Sequence, residues 1–167
     1  SHAHIDHSGL IPKLCKDGYK GDIHCTDATA TLTSVLLEDS AEIQEDEVKY
    51  ENKRRAASNI PYLQPLYTIE DAKAALGRFV QQRYGVWFKV GEGIEAMFTD
   101  AGHIIGSACV HIRVTENGKT KCITFSGDIG RYRDEILKSP QEFPQTDVII
   151  MESTNWNSLH YNAISTP

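Results

Sequence analysis

Three imidazoles and a carboxylate crowd into six consecutive positions at the start of the chain, as His2, His4, Asp6 and His7 of Ser1-His2-Ala3-His4-Ile5-Asp6-His7-Ser8-Gly9. So dense a run of nitrogen and hard oxygen donors suits metal binding. In extended backbone His2 and His4 point the same way, because strand side chains alternate with a period of two, so both can converge on one ion. Asp6 and His7 follow where the chain must bend into its next element, and can face a second ion beside the first. The bland alternative is a solvated polar loop or the remnant of a histidine tag. Against it stand the interleaved Asp6 and the helix-like Gly9-Leu10-Ile11-Pro12-Lys13-Leu14 that follows.

Two later residues stand at expected strand ends. His103 lies in Asp100-Ala101-Gly102-His103-Ile104-Ile105-Gly106-Ser107, between two glycines that let the backbone turn closely around it. Asp128 lies in Ser126-Gly127-Asp128-Ile129-Gly130. Each alone is an ordinary turn residue. With the opening run they complete a set of terminal imidazoles plus one carboxylate able to bridge two ions. The isolated His24 and His111 read as structural positions.

These residues need elements to aim them. A short helix through Leu10, Leu14 and Cys15 is expected to stop at Asp17-Gly18, and Asp22 to Thr26 reads as a strand. Thr26 or Asp27 then caps a helical region carrying Leu32, Val35, Leu36 and Ile43 and running to Arg55, with a break near Asp39-Ser40. Its acidic part, Glu42 to Glu51, reads as a solvated face, as does the basic Lys53-Arg54-Arg55 end. Thr68-Ile69-Glu70-Asp71 caps another helix, expected through Ala75, Leu76 and Phe79. From Tyr84 onward strands take over, with Ile94–Thr99 and Ala108–Thr115 followed by a hairpin turn at Asn117-Gly118. With that two-residue loop, Val110 opposes Phe125, His111 opposes Thr124, Ile112 opposes Ile123 and Arg113 opposes Cys122. Asp147 to Met151 is continuously apolar and reads as a strand covered on both sides. Strands and long helices together point to the α/β or α+β class, with helices packed outside a sheet.

The chain has 167 residues, 40% hydrophobic and 24% charged, which fits one ordinary globular domain. Its 17 basic and 23 acidic residues leave a net charge of −6, unlike a simple nucleic-acid-binding module. Bound cations would relax that constraint, since they supply positive charge where a substrate sits. No stretch is apolar enough to span a membrane, and no basic segment leads into an apolar run. Cys15, Cys25, Cys109 and Cys122 have no paired spacing, which suggests reduced thiols and a cytoplasmic location.

Taken in order, His2-x-His4-x-Asp6-His7, Asp100-Ala101-Gly102-His103-Ile104-Ile105-Gly106-Ser107, Ser126-Gly127-Asp128 and Met151-Glu152-Ser153-Thr154 resemble motifs of the metallo-β-lactamase superfamily. More narrowly, they are similar to its β-CASP branch of RNA-processing nucleases, related to the cleavage-and-polyadenylation endonuclease, and the Ala101-Gly102-His103-Ile104-Ile105-Gly106-Ser107 and Glu152-Ser153-Thr154 segments are what point to that branch. The resemblance implies a partial metallo-β-lactamase αββα sandwich over residues 1–154, with 155–167 opening the link into a β-CASP domain. It implies that first strands of the fold, upstream of His2, are missing as well.

The same resemblance implies two Zn2+ ions, one held by His2, His4 and His103, the other by Asp6 and His7, with Asp128 bridging. Manganese or iron stays open, although imidazole at position 4 favours zinc over the diiron branch. A water shared between ions roughly 3.5 to 4 Å apart would lose a proton near neutral pH and attack a phosphodiester. Asp6 would orient it, and Glu152 would pair with a histidine supplied later in the chain to assist the leaving group. The segment Asn155-Trp156-Asn157-Ser158-Leu159-His160 departs from the usual Tyr-Gly continuation, which leaves His160 without an assigned role.

The resulting expectation is a metal-dependent ribonuclease, endo- or exonucleolytic, taking single-stranded RNA with the help of the absent domain. Two alternatives stay open: a small-molecule thioester or lactone hydrolase of the same superfamily, and an inactive fragment or scaffold piece. The chain in isolation is expected to be weak or inactive. Its oligomeric state is not readable from the sequence.

Overall fold

The computed structural model describes residues 1–132 and 135–154. The expected link over 155–167, His160 included, lies outside the described residues.

The chain opens extended and then turns through two short helices, α1 (Ile5–Ser8) and α2 (Ile11–Lys16), the second with Pro12 in its first turn. Proline is tolerated there because the missing N–H would have had no helical partner. Gly18, at φ +111°, follows that helix, and β1 (Ile23–Cys25) comes next.

Helix α3 (Asp27–Ala57) is 31 residues long, and the Thr26 hydroxyl accepts the Thr29 N–H at its start (3.3 Å). The break expected near Asp39-Ser40 does not occur. Ser40 stays helical and its hydroxyl is engaged by the buried Tyr67 hydroxyl at 3.0 Å. The buried stripe of α3 is Thr29, Thr33, Leu37 and Ala41, each one turn from the next, whereas Leu32, Val35, Leu36 and Ile43 face solvent. Leu37 and Ala41 pack with Tyr67 and with Ala72 of α4 (Ile69–Leu76) in a buried cluster edged by Ile69, Leu76 and Phe79. The capping box expected at Thr68 and Asp71 is formed. Helix α4 stops at Leu76, short of Phe79, because Gly77 closes it and Phe79 pairs with Ile23 instead. Phe79 thereby opens β2 (Phe79–Gln81), which runs parallel to β1.

The remaining strands, β3 (Phe88–Gly91), β4 (Ile94–Asp100), β5 (Ala108–Glu116), β6 (Lys119–Phe125) and β7 (Val148–Ile150), form one sheet in that order. The ring of His24 on β1 packs against Phe88 on β3 (5.0 Å between ring centroids), joining the two sheets, and Phe88 meets Phe98 edge to face within its own sheet (5.2 Å). The β5–β6 hairpin turns through Asn117 (φ +51°) and Gly118 (φ +73°), and its register is the expected one.

One strand of this sheet differs from expectation. Among the described residues, strand β7 pairs only with β6 and forms an edge, with Val148, Ile149 and Ile150 each about half exposed rather than covered on both sides. The face of β5 and β6 written in polar letters is the more deeply buried one: Cys109, His111 and Thr124 are inaccessible while Phe125 is 37% exposed. The return segment from Gln141 to Asp147 explains this. It bonds to Asp100 at one end and to Cys122 at the other, and lays Phe143 over His111. The architecture is mixed α/β. All four cysteines are free thiols, and no helix among the described residues is long and apolar enough to cross a membrane.

Candidate metal centre

The extended start places His2 and His4 side by side. Ser8, buried in α1, donates its hydroxyl to the carbonyls of Ala3 and His4 (3.0 Å each) and so pins the segment against the helix that follows. Nε2 of His2 stands 3.0 Å from Nδ1 of His4.

His103 reaches the same point from the loop after β4. Asp100 accepts the Gly102 N–H (2.9 Å), and the buried Ser107 hydroxyl accepts the N–H groups of His103 (3.0 Å) and Ile104 (3.3 Å). The loop leans on the first turn of α3, where the hydroxyls of Thr26 and Thr29 donate to the Gly106 carbonyl (2.7 and 2.8 Å). Only glycine fits at that position: φ is +86°, and a Cβ would lie 2.6 Å from the Thr29 nitrogen. His103 Nε2 ends 3.3 Å from His4 Nδ1.

Asp128 enters from the loop after β6, which the Gly130 N–H ties to the Ala101 carbonyl (2.8 Å). Its two carboxylate oxygens face different neighbours. Oδ2 is 3.6 Å from Nε2 of both His2 and His103, and Oδ1 is 3.3 Å from Nε2 of His7. His7 Nε2 is in turn 3.6 Å from Asp6 Oδ2. The structure thus gathers His2, His4, His103 and Asp128 into one donor group and sets His7 and Asp6 beside it, across Asp128.

These donors fit a cation. One ligand atom from each of His2, His4, His103 and Asp128 lies within 4.8 Å of all the others. Tetrahedral coordination at 2.0–2.1 Å sets donors about 3.3–3.4 Å apart, close to the separations found. Ring N–H groups alone do not account for the cluster, because His4 Nδ1 faces two other ring nitrogens and can serve only one hydrogen bond. Burial, helped by His7, lowers the His2 pKa to about 4, with Asp128 opposing the shift. The ring is therefore neutral at pH 7 and its lone pair is available to a metal.

Hydroxyls surround these ligands, and residue type alone does not mark them as part of the site. Ser1 Oγ lies 3.3 Å from Nδ1 of both His2 and His7, on the ring edges facing away from the donor cluster. Such a partner selects the tautomer whose Nε2 carries the lone pair. With Ser8 and Ser107 it forms a supporting layer whose only sequence signal is that each serine lies within a turn of a candidate ligand.

Glu152 lies beside this group. Its N–H donates to Ser126 Oγ (3.2 Å), its carboxylate accepts the Ile129 N–H (3.0 Å), and it shares with Ser1, His7 and Asp128 the lining of a cavity of about 460 Å³. The carboxylate therefore steadies the backbone just after Asp128.

No protein-family profile matches the chain. Three curated proteins show what it is similar to. It is 31% identical over 160 residues to ribonuclease TTHA0252 of Thermus thermophilus, an alignment covering 96% of this chain and 32% of that protein. It is 32% identical over 155 residues to transcription termination factor FttA of Methanococcus maripaludis, covering 92% and 22%. It is 30% identical over 165 residues to transcription termination factor FttA of Thermococcus kodakarensis, covering 96% and 23%. The chain is thus similar along nearly all its length to a part, a third or less, of proteins named as a ribonuclease and as transcription termination factors.

Proposed function

We propose that this chain is the metal-binding portion of a β-CASP-type phosphodiesterase acting on RNA, built as part of an αββα metallo-β-lactamase sandwich and working within a longer protein. The observation that carries the reading is the division of the Asp128 carboxylate, one oxygen toward His2 and His103 and the other toward His7. A carboxylate so divided is the arrangement by which one residue serves two cations. His2, His4, His103 and Asp128 would hold one, and Asp6, His7 and Asp128 the other. Imidazole-rich ligation favours zinc.

Bound cations would contribute the positive charge that acidifies water and offsets charge building on a phosphoryl group. The chain's own residues do the rest. Asp6, whose side chain is 75% exposed, is free to accept a hydrogen bond from water and hold it for attack. Glu152 has one oxygen committed to Ile129, and the other can share a proton with a histidine from elsewhere in the longer protein to assist the leaving group. RNA is favoured over a thioester or lactone by the Glu-Ser-Thr segment and by the long helical insertion between the first and second ligand groups. The names of the relatives point the same way. Because the chain spans a third or less of those relatives, the 167-residue piece is expected to cleave weakly or not at all.

The test is to incubate labelled RNA, DNA of the same sequence and a thioester with the zinc-loaded longer protein and with its His4→Ala variant. RNA cleavage that disappears in the variant supports the proposal. Thioester hydrolysis with intact RNA transfers the site to the small-molecule hydrolases, and inert substrates throughout contradict a catalytic role.

A further inference from the structure

His111 is fully buried in the middle of β5, and the mechanism above does not use it. Its ring is gripped at both nitrogens: Nε2 lies 2.9 Å from the Thr99 hydroxyl on β4, and Nδ1 lies 2.9 Å from the Thr124 hydroxyl on β6. Thr124 is its direct cross-strand partner, whereas Thr99 sits diagonally, opposite Cys109. Both threonines are themselves buried, and Phe143 closes over the ring. A neutral imidazole has one donor and one acceptor, and a hydroxyl can play either role, so both ring nitrogens are satisfied in either tautomer.

The two threonines occupy equivalent places in the chain. Thr99 stands four residues before His103, and Thr124 stands four residues before Asp128. The side chains of those two candidate ligands come from strands separated by β5, yet meet at 3.6 Å. One buried ring thus links, through a single hydrogen bond on each side, the two strands that deliver them.

Resting on the proposed metal centre, we infer that His111 is a positioning residue, which sets β4 against β6 across β5 so that His103 and Asp128 arrive at one cation. Backbone pairing alone leaves the strands free to twist and slide slightly at their ends. A side-chain bridge spanning three strands removes that freedom near the ligands. Polar groups otherwise costly in a sheet interior are kept here because each has a partner.

The experiment compares Co2+ binding, by affinity and by visible absorption, in the wild-type chain, in His111→Leu, and in the triple variant Thr99→Val, His111→Leu, Thr124→Val. The triple variant replaces the whole polar trio with apolar groups of similar shape. It is expected to stay folded even if His111→Leu, which strands two buried hydroxyls, does not. Co2+ affinity about 10–100-fold weaker in the folded triple variant, with an altered absorption spectrum, is the expected result. His111→Gln, able to bond both threonines, should recover part of the loss. A folded triple variant with wild-type affinity and spectrum overturns the inference and leaves the metal centre standing. A wild-type chain that binds no Co2+ overturns both.

Discussion

His103 Nε2 and Asp128 Oδ2 lie 3.6 Å apart, although the two residues leave the sheet from β4 and β6 with β5 between them. Their meeting depends on the two loops that carry them. The Gly130 N–H joins those loops at the Ala101 carbonyl, and Ser107 and Asp100 shape the first of them.

Ser1→Ala should weaken metal affinity about 10–100-fold, the usual cost of losing a hydrogen-bond partner behind a ligand. The hydroxyl faces Nδ1 of both His2 and His7, so both ion positions should suffer. Competition against a chromophoric chelator measures this, and an unchanged affinity would make the hydroxyl a bystander.

Gly106→Ala should destabilise the fold by about 2–4 kcal/mol, in the upper part of the range for single substitutions. The new Cβ meets the Thr29 nitrogen at 2.6 Å and the Ala28 Cβ at 2.9 Å, and the φ of +86° is itself unfavourable for alanine. A lower urea midpoint with an unchanged slope is the expected outcome. A midpoint equal to wild type would mean that the loop has room to move away from α3.

Acid should destabilise the metal-free chain partly through His111, whose pKa burial lowers from 6.5. Below that value the unfolded chain takes up a proton at this residue that the folded chain resists. This contribution to stability is therefore complete above the unfolded pKa and is lost as pH falls from there through the lower folded value. Unfolding free energies measured between pH 7.5 and about 5 in the presence of a chelator should decline with acid. The decline should be shallower in the triple variant lacking the imidazole. Equal slopes in the two proteins would remove His111 from the acid response.

Much of this arrangement could be read from residue order. The hairpin register followed from Asn117-Gly118 because a two-residue turn leaves one pairing. The capping box at Thr68 and Asp71 was equally local. His2 and His4 converged as alternation in extended backbone requires, and His103 and Asp128 joined them through chain reversals that the flanking glycines signal. What stayed hidden depends on tertiary packing. Which stripe of α3 is buried was decided by Tyr67 and α4, which chose Thr29, Thr33, Leu37 and Ala41 over the more apolar Leu32, Val35 and Leu36. Phe79 looked like the end of a helix until its partner Ile23, far away in sequence, drew it into a strand. The burial of His111 came from the return segment carrying Phe143, which no local pattern announces.

Metal content of the purified chain beside its Asp128→Ala variant tests the central claim most directly. Elemental analysis after equilibration with zinc should find two ions per wild-type chain, falling to one or none in the variant, with the circular dichroism spectrum unchanged. A wild-type chain holding no stoichiometric metal, or a variant that keeps both ions, would contradict the account.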